Sequence, residues 1–177
     1  MQIETSNLNV TQAAAVLKAT PQTLRRQVGP IDADVLRWRP AVNAWCINEI
    51  IGHLIEADQR AFAGRIQAML AYEMPELETW DADVVDTMRR DDQKDVLELL
   101  AEFEAMRNEN MGLVAGLRPG QLARAGFHPD IGEVQVVDFV YEWIYHDCNH
   151  IKQILSNIQI AVWPKMGNTR HFRPPQY

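Results

Sequence analysis

Between Cys46 and Tyr72 apolar residues recur at three- and four-residue steps, and that rhythm constrains the fold more than any other feature of the chain. Ile47, Ile50, Ile51, Leu54, Ala57, Ala61, Phe62, Ile66, Met69 and Leu70 carry it. A run this long reads as a helix with one face in a core. Its start is marked by Cys46 with Glu49 three residues later, the spacing of a capping box. Trp45 before the cap and Ile50 at the fourth helical position have the spacing of a hydrophobic staple. Met74-Pro75 closes the segment.

The same rhythm predicts partners for this rod. Residues 10–18 and 20–28 read as two helices, the second opened by Thr20 as cap and Pro21 at the first helical position. Gly29-Pro30 stops it, residues 32–36 suit a turn of helix, and Arg37-Trp38-Arg39-Pro40 is extended. Residues 93–117 are helical around Val96, Leu99, Leu100, Phe103, Met106, Leu113 and Val114, and residues 135–160 form the last helix. Residues 75–90 and 122–133 are long connections, and no stretch alternates like a strand. The expected fold is all-α: a four-helix bundle with crossover connections, one domain with its core at about residues 10–161 and a polar tail over 162–177.

Of 177 residues, 47% are hydrophobic, enough for one core, and the net charge is −7. An acidic chain repels phosphate backbones and anionic lipid, so no nucleic acid or membrane partner is expected. Arg170 and Arg173 make only a thin basic patch. Two cysteines, Cys46 and Cys148, without a CxxC motif fit a reducing compartment. No apolar signal region opens the chain and no apolar run spans a bilayer, so the expected location is cytoplasmic.

Chemistry concentrates in His146-Asp147-Cys148-Asn149-His150. Residues four apart on a helix point nearly the same way, about 40° apart around the axis. Two imidazoles so placed can chelate one divalent ion. They lie at the margin of the apolar arc formed by Val136, Val140, Trp143, Ile154 and Ile158, with Glu142 and Gln153 beyond. His53 lies at the margin of its own helix's arc, with Glu49, Glu56 and Arg60 beyond. If the two margins face each other, three rings converge on a half-open cleft. Taken alone, the histidine pair is more simply packed or solvated, and His53 more simply bonds Glu49 or Glu56.

Trp45-Cys46-Ile47-Asn48-Glu49-Ile50-Ile51-Gly52-His53-Leu54 resembles the W-S-x-x-E-x-x-x-H-L segment of the DinB-like (DinB/YfiT) metal-binding bundles. His146-Asp147-Cys148-Asn149-His150-Ile151-Lys152-Gln153-Ile154 resembles their H-x-x-x-H-x-x-Q-I helix, and Leu36 to Pro40 resembles the stretch leading into the first motif. The resemblance covers about residues 20–160. It implies a four-helix bundle with an unusual crossover, often a homodimer. It also implies a divalent metal, commonly zinc or nickel, on His53, His146 and His150. Some relatives are transferases or isomerases that use a low-molecular-weight thiol such as mycothiol or bacillithiol. Cys46 stands where the family has Ser or Thr, a weaker cap.

The function expected is a metal-dependent enzyme on a small molecule, a thiol-dependent S-transferase or a hydrolase. Glu49, Glu56 and Glu142 are the candidate proton acceptors. The alternative is a non-catalytic metal-binding or stress-response ligand-binding protein. Asp147 and Asp58 point inward and are expected to tie helices together, through a Trp indole or a backbone N–H; supporting a histidine ligand is the sharper role open to them. Cys148 points away from the histidines, His128 is expected in solvent, His171 is incidental, and the five tryptophans serve core or caps. No phosphate loop, GxSxG elbow or HExxH is present.

Overall fold

The computed structural model describes residues 7–79, 84 and 88–172. The helices are α1 (Val10–Val28), α2 (Ala33–Leu36), α3 (Ile47–Glu56), α4 (Arg65–Ala71), α5 (Val96–Ala115), α6 (Pro119–Leu122) and α7 (Val136–Val162). Eight residues of π-helix, Ala57–Gly64, join α3 to α4, so residues 47–71 form one continuous rod. α1 packs against α5 and α7, and α3 packs against the same two. The successive long helices α1 and α3 therefore lie on a diagonal, and the connection over residues 29–46 crosses the bundle.

α3 and α7 run antiparallel. Trp45 accepts a hydrogen bond from Asn157 at one level, His53 meets His146 at the next, and Phe62 stacks on Trp143 at the third. Two apolar clusters fill the bundle. One gathers Leu17, Phe62, Ile66, Met111, Val140 and Trp143; the other gathers Leu24, Ile50, Leu54, Leu100, Phe103 and Ile154. No helix among the described residues is long and apolar enough to cross a membrane.

Several expectations need correction. The two N-terminal helices are one, capped by Asn9 in a capping box with Gln12, and Pro21 lies inside it. Proline removes the N–H that would bond the carbonyl four residues back, that of Leu17. Arg107 Nη1 donates to that carbonyl at 2.7 Å instead, and Thr20 turns its hydroxyl to Asp147 rather than capping a helix. The single helix expected over 46–72 widens into π-helix midway. The connection expected without strands holds a hairpin, β1 (Ala125–His128) against β2 (Gly132–Gln135), turned through Gly132 at φ 82°. Its strands are too short to show alternation, and Phe127 is further held by backbone bonds to Pro75 and Leu77. His128, on that hairpin, is buried rather than in solvent. Beyond α7 the expected polar tail winds into 3₁₀ turns over Trp163–Phe172.

Candidate metal centre

His53 reaches the centre from α3, and His146 and His150 reach it from successive turns of α7. One nitrogen from each ring can be chosen so that all three lie within 4.8 Å of one another. The Nε2 atoms of His53 and His146 are 3.2 Å apart. A metal–nitrogen bond of about 2.0–2.1 Å gives a tetrahedral edge of about 3.3–3.4 Å, so these rings stand as two ligands of one ion would. His53 is buried, and His146 and His150 are half-buried.

The surroundings favour a neutral ring at His146. Burial, and then the neighbouring His150 and His53, push His146 down to about 3. Its Nδ1 is buried without a hydrogen-bond partner among the described residues, a desolvation cost. His150 Nδ1 lies 2.9 Å from Gln153 Oε1. That acceptor fixes the N–H on Nδ1, so Nε2 is the atom this ring would offer an ion, the usual way a ligating imidazole is oriented. The donor set therefore fits a divalent metal.

Aromatic rings wall the cluster. Trp45 lies with ring centroids 4.8 Å from His53 and 6.1 Å from His150, and Phe62 meets His146 edge-on at 5.3 Å. Cys46 completes a capping box with Glu49. Burial pushes its thiol up to about 12, which leaves it protonated and inert. Cys148 is exposed on α7.

The three candidate proton acceptors stand differently. Glu49 spends one oxygen on the Cys46 N–H at 2.8 Å and the other on Arg39. Glu56 accepts from Arg60 at 2.7 Å and from Arg89 at 2.9 Å. Burial alone would raise its carboxyl, but the two guanidiniums hold it below the usual range. Glu142, one turn before His146, is exposed and has no hydrogen bond among the described residues. Desolvation raises its carboxyl, and the charge of Arg65 opposes that. Neither Glu49 nor Glu56 hydrogen-bonds His53, the simpler fate open to that ring.

Beside the histidines lies a buried polar layer. Arg107 donates to both oxygens of Asp58 at 2.7 Å and to the two oxygens of Asp147 at 2.6 and 3.0 Å. Trp143 Nε1 adds a bond to Asp58 at 2.8 Å and Thr20 Oγ1 one to Asp147 at 2.7 Å. Both aspartates tie helices together, Asp58 with the help of an indole. Burial pushes the Asp58 carboxyl up against the pull of Arg107, while the two carboxylates keep Arg107 protonated despite its burial. Sequence reasoning missed Arg107 and the wall formed by Trp45, and it placed Gln153 beside the histidines without giving it a role. The signal for Arg107 was present: it falls four residues after Phe103 and seven before Val114, a charge on the apolar stripe.

A search of the curated proteins finds no match. Among solved structures the chain is similar to YfiT from Bacillus subtilis, described as a probable metal-dependent hydrolase with an unusual four-helix bundle topology. The TM-score is 0.79 at 18% identity, over 89% of this chain and 90% of that one. A likeness at that identity speaks for the fold. The family model described as the DinB superfamily matches residues 17–154, a span that holds His53, His146 and His150. With most of its length inside that match, the chain belongs to the DinB superfamily.

Proposed function

We propose that the chain is a metal-dependent enzyme acting on a small molecule, by hydrolysis or by transfer to a low-molecular-weight thiol. Zinc or nickel would be held on His53, His146 and His150. The observation that carries the reading is the convergence of three imidazole nitrogens from two helices within 4.8 Å. A divalent ion there would supply a Lewis acid, lowering the pKa of water or a thiol or polarising a carbonyl. Neutral imidazole ligands leave its charge uncompensated, and the three ligands found among the described residues are fewer than the four a structural ion normally takes. YfiT, described as a probable metal-dependent hydrolase, supports the hydrolytic branch by analogy.

The chain's own groups divide the remaining work. Trp45 and Phe62 exclude water from the flanks of the ring cluster. Gln153 holds His150 in register. Glu142 is the proton acceptor we favour. Glu49 and Glu56 have both oxygens committed to other donors, whereas Glu142, one turn from His146, has no hydrogen bond among the described residues, and its raised pKa makes it the better base.

Metal content of tag-free protein tests the centre. Wild type should carry one equivalent, and His53→Ala and His150→Ala should each lose it; stoichiometric metal in both variants would refute the site. With hydrolytic and thiol-transfer substrates, Glu142→Gln should lower turnover by about 10²–10⁴-fold with metal content unchanged. Equal turnover would return the proton-accepting role to Glu49 or Glu56.

A further inference from the structure

Arg107 is fully buried, and every one of its N–H groups is used. Nε serves Asp58, Nη1 serves Asp147 and the Leu17 carbonyl, and Nη2 serves both aspartates. The Leu17 carbonyl is available because Pro21 has no N–H to offer it. Every hydrogen bond to the two carboxylates comes from a donor, so both accept as anions. A buried ion cluster of this kind is commonly no more stable than apolar side chains of the same volume. Stability alone therefore does not account for it.

What the cluster does fix is geometry. Asp58 sits five residues past His53 on the same rod, and Asp147 directly follows His146. A planar guanidinium that forks onto both holds the two rods at one separation and one rotation at the level of the histidines. Trp143 reinforces the arrangement. Its indole N–H bonds Asp58, and its ring stacks on Phe62, which in turn meets His146.

We propose that Arg107 is a positioning residue for the metal centre, setting through Asp58 and Asp147 the spacing of the helices that carry His53 and the His146/His150 pair. The proposal rests on the metal reading of those histidines. Its test uses full-length protein stripped with a chelator and reloaded with Co²⁺, reading affinity by chelator competition and coordination by the visible ligand-field bands. Removing Arg107 alone would strand two buried carboxylates, so the main variant replaces all three charges together: Arg107→Met, Asp58→Leu and Asp147→Leu. Arg107→Lys, which keeps the charge but loses the fork, is the second variant.

The metal-free triple variant should unfold at or above the wild-type temperature. Its Co²⁺ affinity should fall by about 10–100-fold, with shifted bands. Arg107→Lys should move affinity and bands in the same direction. Wild-type affinity and spectrum in either folded variant overturn the proposal alone. Wild-type protein that takes up no Co²⁺ overturns the metal reading and this inference with it.

Discussion

Gly52 immediately precedes His53 on α3, and a methyl group added there would land on a buried carboxylate. The new carbon would sit 1.8 Å from Asp91 Oδ2, 2.5 Å from its Cγ and 3.0 Å from its Cβ. Asp91 is 1% exposed and is held by Arg89 Nε and Lys94 Nζ, each at 2.7 Å, so it cannot swing aside without releasing both. Two effects oppose each other in Gly52→Ala. Alanine in a helix interior gains about 0.5–1 kcal/mol over glycine. Overpacking a filled site costs about 1–3 kcal/mol, and loosening a buried ion pair adds to that. Arg89 keeps Glu56 and Glu102 as partners, which limits the second cost. The balance is a destabilisation of about 2 kcal/mol, a fall of about 4–8 °C in melting temperature for a chain of this size.

Urea denaturation and calorimetry of wild type, Gly52→Ala, Asp91→Ala and the double variant check the sign as well as the size. Once Asp91 is truncated the carboxylate is gone and only its Cβ, at 3.0 Å, remains to give way by a few tenths of an ångström, so the same glycine-to-alanine change should become close to neutral. The cycle should therefore give a coupling of about 2 kcal/mol or more, within the range seen for residues in contact. Gly52→Ala as stable as wild type in the presence of Asp91 would show that the carboxylate moves freely, and the reasoning would fail.

Two further outcomes follow from the histidine cluster. Gln153→Leu should weaken metal binding by about 10–100-fold, read by chelator competition, and Gln153→Glu, which keeps an acceptor for His150, should restore most of it; unchanged affinity in the leucine variant would mean that ring needs no orienting partner. The metal-free protein should also lose stability as pH falls from about 6.5 toward 3. His146 is held near 3 in the folded chain and returns to about 6.5 on unfolding, so the unfolded state binds the extra proton throughout that window. Within that window the slope it contributes is up to about 1.4 kcal/mol per pH unit, and above it the stability contribution is present in full and no longer changes with pH. In denaturation curves taken at several pH values, His146→Phe should flatten that slope, and an equal slope in the variant would remove His146 as its source.

What could be read from the sequence was whatever depends on local spacing. The helical rhythm of residues 47–71, the four-residue step from His146 to His150, and the Cys46–Glu49 box all follow from neighbours within one or two turns, and they appear where expected. The meeting of His53 with that pair spans ninety-three residues of chain. Periodicity put each ring at the edge of an apolar arc, but only the resemblance brought the two edges together.

What escaped reading was how the residues that break local rules partner one another. An interior proline normally ends a helix, and a buried arginine or aspartate normally forbids one. Here Pro21, Arg107, Asp58 and Asp147 each break a local rule, and each becomes admissible through the others. The carbonyl that Pro21 leaves unbonded accepts from Arg107, and the charge that burial of Arg107 would strand is met by the two aspartates. The π-helical stretch Ala57–Gly64 belongs to the same set, since Asp58 and Phe62 both turn inward from it, one to Arg107 and the other to Trp143 and His146. Violations of local preference that cancel only in three dimensions cannot be read from spacing along the chain. That they cluster beside the three histidines is what a site requiring fixed geometry would select for, at the expense of simpler packing.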